Sequence, residues 1–219
     1  VKLIFANRNY SSWSLRAWLV LKHFGIAFDE EMALLNGEGW KENIRRKSPS
    51  GKVPVLIDGE AVIPETIAII EYLNDKYPAK GIWPSDRLKR AQARAVAAEM
   101  HGGFTALRNA APMNLRASHP GKVDFDVVAG DLRRIERIWG DLTSESGGPY
   151  LFGKFTAADA MFAPVAGRIR TYELPVSDAA QEYVEAIYAL PAFQEWLAEA
   201  TKEPWIVEQD EIDMIQKKV

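Results

Sequence analysis

No stretch constrains this chain more than Gly51-Lys52-Val53-Pro54-Val55-Leu56-Ile57-Asp58-Gly59, followed by Pro64-Glu65-Thr66-Ile67-Ala68-Ile69-Ile70-Glu71-Tyr72-Leu73. It spells a proline-led strand, an Asp-Gly turn, a second short strand and a helix opening on a carboxylate and a hydroxyl. Proline cannot donate to a β-ladder, so it belongs at an edge or at the first residue of a strand. The bond before it has lost most of the usual trans preference. A cis bond here turns the N–H and C=O of Val53 outward, where an extended peptide can pair with them. The helix start, with unpaired N–H groups at the positive end of its dipole, suits a carboxylate. Together these describe a socket for a small acidic peptide.

The surrounding pattern is a small α/β unit. Residues 2–6 form an apolar strand. Ser12 to Phe24 carries Leu15, Trp18 and Leu19 at helical spacing, with Gly25 where a C-terminal cap belongs. Residues 26–32 alternate as a second strand, and Trp40 to Lys47 is a short polar helix or irregular turn. Val53–Ile57 and Ala61–Ile63 make a hairpin across Asp58-Gly59. The helix from Thr66 to Tyr77 stops at Pro78. Residues 1–78 therefore read as one domain and 79–86 as a linker. Residues 87–219 read as an all-helical domain, with helices expected over 87–110, 124–144, 157–171, 178–189 and 191–201. Thr156 and Asp159 carry the spacing of a capping box at the third of these, a structural role.

Composition narrows the chemistry. With 219 residues and 47% hydrophobic content the chain can bury real cores. Lys+Arg 27 against Asp+Glu 30 gives no bias toward nucleic acid or an anionic membrane. No apolar run approaches a membrane span, and Val1-Lys2-Leu3-Ile4-Phe5 reads as a strand rather than a targeting segment, so a soluble cytoplasmic protein is the expectation. The absence of cysteine removes disulfides, thiolate metal sites and a redox mechanism through an enzyme thiol. His23, His101 and His119 lie too far apart for a zinc pattern, and no metal is expected.

Four motifs in order carry a family resemblance: Ser11-Ser12-Trp13-Ser14-Leu15-Arg16, Ser48-Pro49-Ser50-Gly51-Lys52-Val53-Pro54-Val55-Leu56, Glu65-Thr66-Ile67-Ala68-Ile69, and Phe155-Thr156-Ala157-Ala158-Asp159. With them the chain resembles the cytosolic glutathione transferases over essentially its whole length. The start of helix 1 is most similar to the zeta class, which carries Ser-Ser-Cys-x-x-Arg, and Gly102-Gly103 with Leu107-x-Asn109 agrees. Trp13 stands where that class has cysteine, and Thr66 where the family usually has serine. The resemblance implies a thioredoxin-like α/β N-terminal domain followed by an all-α C-terminal domain. It also implies glutathione as co-substrate, transfer to a small electrophilic acceptor in detoxification, and a homodimer.

The expected roles follow from that match. Glutathione brings its own thiol, so a cysteine-free enzyme can still do thiol chemistry. Its thiol has a pKa near ~8.5. A hydroxyl bond to the thiolate contributes roughly 1.5–3 kcal/mol and a helix dipole about 0.3–1 kcal/mol. Ser11 is the first choice for that hydroxyl and Ser12 the second, with N-capping as the plainer role for either. Arg16 either steadies the site electrostatically or forms an ion pair within helix 1. Trp40, Lys41, Lys52, Val53, Pro54, Glu65 and Thr66 are the glutathione-binding candidates. The lysines would take the glycine carboxylate, and Glu65 with Thr66 the γ-glutamyl end. Phe104, Arg108, Asn109 and Met113 are the candidates for the acceptor pocket. Two other readings stand beside the transferase: a binding or regulatory protein that keeps the fold without the activity, and a zeta-like glutathione-dependent isomerase.

Overall fold

A computed structural model describes residues 1–216; the last three residues of the expected 87–219 unit lie outside the described residues. The first part runs β1 (Lys2–Phe5), α1 (Ser12–His23), β2 (Asp29–Met32), α2 (Trp40–Lys47), β3 (Val55–Asp58), β4 (Ala61–Pro64) and α3 (Thr66–Lys76). The strands form one sheet in the order β2-β1-β3-β4. β1 is parallel to β2 and antiparallel to β3, and β4 is antiparallel to β3. Period-two alternation divides the faces. Leu3, Phe5 and Leu56 enter the large core with α1 and α3, while Ile4 and Val55 pack with Ile44 of α2 in a smaller one. Pro64 ends the edge strand β4, where a missing donor disturbs little.

The second part is helical: α4 (Arg87–Gly102), α5 (Thr105–Ala110), α6 (Phe125–Ser146), α7 (Ala157–Tyr172), α8 (Asp178–Ala189), α9 (Pro191–Ala200) and a short α10 (Ile212–Gln216). In α7 only Arg170 is exposed, because α7 packs against α1, α4 and α8 together. The Asp159 carboxylate at its start is wholly buried. It accepts the N–H of Leu151 (3.0 Å) and of Thr156 (2.8 Å), and the hydroxyls of Thr156 (3.0 Å) and Tyr183 (3.0 Å). Burial nevertheless raises its pKa to about 6.

Two expectations about the elements need correction. The helix expected over 87–110 is two helices. Gly103 closes α4 by donating to the Glu99 carbonyl at 2.8 Å. A Cβ at Gly103 would lie 2.7 Å from that same oxygen, so the turn requires glycine. Phe104 then adopts φ 56, and α5 restarts with the Leu107 N–H accepted by Asp131 of α6 at 2.9 Å. The second strand begins at Asp29 rather than Ile26, because the Ile26 N–H folds back onto the Leu21 carbonyl (3.0 Å) in the closing turn of α1.

Candidate functional site

Where α1 and the β3 approach meet α5, α7 and the segment after α9, a cleft of about 440 Å³ opens. Ser11, Ser12, Trp40, Lys52, Val53, Arg108, Asn109 and Met113 all line it. A smaller cleft of about 240 Å³ shares Trp13, Lys52, Val53 and Arg108, and adds Pro54, Glu65, Thr66 and His101. The candidates from the two halves of the sequence therefore share neighbouring clefts.

The two serines differ in what their hydroxyls already do. Ser11 is the N-cap of α1: its Oγ accepts the Ser14 N–H (3.4 Å) and donates to Ser14 Oγ (2.8 Å). Ser14 Oγ in turn accepts the Ala6 N–H at 3.0 Å, tying the cap to the end of β1. The Ser12 hydroxyl has no hydrogen-bond partner among the described residues, although the residue is only 8% exposed and lines the cleft. It sits at the first position of α1, on the positive end of the dipole.

At the peptide end, the Val53-Pro54 bond is cis, and Val53 precedes the ladder, which begins at Val55. Glu65, the residue before α3, holds φ 73, an uncommon conformation for a residue with a Cβ and one found at ligand sites more than elsewhere. Thr66 is buried and its hydroxyl donates to the Trp13 carbonyl (3.2 Å). The Thr66 hydroxyl thus ties α3 to α1, leaving its backbone N–H for a ligand. His101 of α4, not singled out from the sequence, reaches within 3.9 Å of the Glu65 carboxylate and meets the Trp13 ring edge-on at 5.0 Å.

Trp13 has a further task. The guanidinium of Arg16 lies 4.3 Å from its ring centre and that of Arg108 4.6 Å, both within cation–π reach. Arg16 is wholly buried. Its Nε donates to the Met161 carbonyl (2.8 Å), while both terminal nitrogens lack a partner. The ion pair within α1 that was one expectation for Arg16 is absent among the described residues. Arg168 of α7, 4% exposed, lines the large cleft and donates to the carbonyls of Ala111 (2.8 Å) and Pro164 (3.2 Å). Burial and then the neighbouring Arg108 bring its pKa down to about 10. Burial, followed by Arg168 and Arg108, pushes Arg16 well below the arginine range. None of the three has a carboxylate within ion-pair distance among the described residues. Buried charges are ordinarily paired, so this concentration calls for an anion from outside.

The segment after α9 closes the cleft on the remaining side. Glu203 accepts the N–H groups of Arg8 (2.7 Å) and Asn9 (3.2 Å). Arg116 bonds the carbonyls of Glu203 and Trp205 and the Tyr10 hydroxyl. Glu211 accepts from Tyr10 and, at 3.1 Å, from Asn114. Asp210, held between these anchors, lines the cleft beside Ser11 and Ser12.

Three candidates line neither cleft, the first being Arg16, wholly buried against the Trp13 ring. Phe104 is a core residue packed 6.4 Å from the Phe162 ring, because the left-handed turn that starts α5 directs it inward. Lys41 lies on the exposed side of α2, 5.5 Å over the Trp40 ring, and lines neither cleft. Arg168 follows the stretch 160–167, which carries no charge, but Arg170 stands two residues on, so the sequence did not set it apart. Asp210 carried no local signal. Among the described residues no cluster of histidine and carboxylate could hold a metal ion, and no helix is long and apolar enough to cross a membrane.

Comparison with known proteins gives concordant matches. The family model described as "Glutathione S-transferase, N-terminal domain" matches residues 10–76, and that described as "Glutathione S-transferase, C-terminal domain" matches residues 90–199. A probable maleylacetoacetate isomerase of Caenorhabditis elegans is 28% identical over 193 residues, covering 85% of this chain and 87% of that protein. A zeta-class glutathione S-transferase of Euphorbia esula is 35% identical over 105 residues, covering 48% of this chain and 47% of that protein. Among solved structures, a glutathione transferase homolog from Burkholderia gl BGR1 with bound glutathione superposes with a TM-score of 0.68 at 26% identity, covering 91% of this chain and 96% of the other. A bacterial zeta-class maleyl pyruvate isomerase shares the fold with a TM-score of 0.71 at 22% identity, covering 94% and 100%.

Proposed function

Because the chain belongs to the glutathione S-transferase family, we propose that it is a glutathione-dependent enzyme in which Ser12 stabilises the thiolate of bound glutathione. The thiolate then attacks a small electrophilic acceptor. The observation that carries this reading is the unpartnered Ser12 hydroxyl at the dipole end of α1, in the cleft shared with Val53 and next to the one holding Glu65 and Thr66. Val53 pairs with the peptide backbone, the start of α3 takes the γ-glutamyl carboxylate, and Lys52 lies near the glycine end. The thiol proton leaves to solvent, and the sulfur lone pair forms the new bond to the acceptor carbon. The electron pair of the bond broken there departs with the leaving group: a halide for a halogenated aromatic, or the ring oxygen of an epoxide, which then takes a proton from solvent.

Glutathione should raise thermal stability, since binding to the native state at a hundredfold excess over Kd contributes about 2.7 kcal/mol. Differential scanning calorimetry with and without glutathione measures it. An unchanged melting temperature at saturating glutathione sinks the reading. Binding without turnover across halogenated aromatics, epoxides, hydroperoxides and maleylacetone favours the regulatory alternative.

A second reading, glutathione-dependent isomerisation, is favoured by the unpaired guanidiniums. The thiolate adds to a carbon–carbon double bond, the bond rotates, and the thiolate leaves unchanged. Arg108 and Arg168 would hold a carboxylate of the acceptor, and relatives of this chain are named for acting on maleylacetoacetate, by its name an acid. Arg168→Met should then raise KM for an acidic acceptor at least about tenfold. Folding stability should fall by about 1–3 kcal/mol, since the buried carbonyls of Ala111 and Pro164 lose the guanidinium as donor, so the comparison of KM between acidic and uncharged acceptors reads the role. Equal losses for acidic and uncharged acceptors would remove Arg168 from this role.

A further inference from the structure

The cleft holds three cationic side chains, Lys52, Arg108 and Arg168, and among the described residues one carboxylate, Asp210. We infer that Asp210, on the segment after α9, determines which acceptor charge the cleft accepts, by standing as the internal counter-charge of Arg168. The inference rests on the proposed glutathione-dependent reading and adds to it a residue outside the span matched by the family, which ends at residue 199.

Three observations carry it. Arg168 and Asp210 line the same cleft from different elements, and each feels the charge of the other without forming an ion pair. The segment bearing Asp210 is not free to swing away. Val207 and Ile212 on either side are 2% and 3% exposed, and Glu211 is clamped by Tyr10 and Asn114. Arg168 spends Nε and one terminal nitrogen on carbonyls and forms no ion pair among the described residues, so Asp210 is the carboxylate that acts on its charge, across open space. An anionic acceptor entering that space meets attraction from Arg168 and repulsion from Asp210. An uncharged acceptor meets neither.

Burial raises the Asp210 pKa to about 6, with Arg168 opposing and Glu211 adding to the shift. The charged and titratable groups that act on it or share its cleft are Arg168 and Tyr172 of α7, Glu211 beside it, Tyr10 before α1, Arg108 of α5 and Lys52, with Arg116 bonded to the Tyr10 hydroxyl. His119 stacks on Tyr172. All of these remain in a variant of Asp210, so a difference between variant and wild type isolates Asp210 itself.

The test uses two glutathione conjugates that differ only in charge at the acceptor end: S-benzylglutathione and S-(para-carboxybenzyl)glutathione. Calorimetric titration of each into the full chain, wild type and Asp210→Asn, gives four affinities. Asp210→Asn should strengthen binding of the carboxybenzyl conjugate at least about fivefold, in line with the cost of like charges at a desolvated contact, and leave the benzyl conjugate within about twofold. Lowering the pH from about 7.5 to about 5.5 should strengthen carboxybenzyl binding to the wild type and not to the variant, because protonation then does what the substitution does. This wild-type arm stands whether or not the variant folds. Equal changes for the two conjugates, or no change for either, overturn the assignment. Failure of the wild type to bind either conjugate overturns the glutathione reading on which it rests.

Discussion

Ser12→Ala is expected to raise the pKa of the bound glutathione thiol by about one unit or more and to lower turnover at neutral pH about tenfold or more. A hydrogen bond to a charged group contributes roughly 1.5–3 kcal/mol, and one pKa unit corresponds to about 1.4 kcal/mol. Ser11→Ala should act differently. The Ser11 hydroxyl is engaged at both ends with Ser14, so its loss should lower stability by about 1 kcal/mol, as removal of an N-cap does, with a small effect on the thiol. Thiolate absorbance of bound glutathione, followed against pH in both variants, separates the two roles. A shifted titration in Ser11→Ala alone would return the thiolate to Ser11, the residue that the family pattern favours. If neither variant shifts it, no serine hydroxyl activates the thiol.

Asp159→Asn should be the most destabilising isosteric change in the chain. Each carboxylate oxygen accepts one backbone N–H, from Leu151 and from Thr156 respectively. An asparagine offers one acceptor oxygen, so either orientation of the amide sets an NH2 group against a backbone donor that has nowhere else to turn. A buried donor left unsatisfied costs about 1–3 kcal/mol, and the charge-assisted bond is lost as well, giving roughly 3 kcal/mol or more. At about 2–4 °C per kcal/mol for a chain of this size, the melting temperature should fall by roughly 6–12 °C. The pH dependence supplies an independent signature. The folded pKa of about 6 lies above the ordinary 3.8, so the native state binds the proton more tightly. The contribution of Asp159 to stability is therefore largest below about pH 4 and declines as pH rises through 6. Chemical denaturation across that window should show a shallower decline in Asp159→Asn, the remainder coming from Asp210 and Glu203, whose pKa values burial also raises. An Asp159→Asn protein as stable as wild type would remove this carboxylate from the folding of α7.

Signals that act within a few residues were legible in the sequence. Pro54, the Asp58-Gly59 turn, Gly25 and Pro78 marked element ends to within a few positions, because each fixes a local dihedral or removes a local donor. The Thr156 to Asp159 spacing announced the start of α7 for the same reason. What escaped depends on partners far along the chain. The interruption after Gly102 is completed by Asp131 of the next long helix. Periodicity alone did not tell that Phe104 turns into the core while Met113 borders the cleft. Trp13 was visible as a departure from the zeta pattern, but its work of holding Arg16 and Arg108 needs α5 beside α1. Arg168 and Asp210 meet only because α7 and the segment after α9 converge on the same opening.

That convergence has a kinetic side. Glu203 grips the backbone of Arg8 and Asn9 across 195 and 194 residues of chain. Loop-closure entropy rises with the logarithm of the span, so contacts this distant gain little until the sheet and the helices between them are in place. They belong to the native side of the folding barrier, where weakening a contact hastens opening and hardly slows assembly. The wall of the cleft that carries Asp210 is thus expected to close late in folding, and weakening the grip of Glu203 on Arg8 and Asn9 should speed unfolding more than it slows refolding.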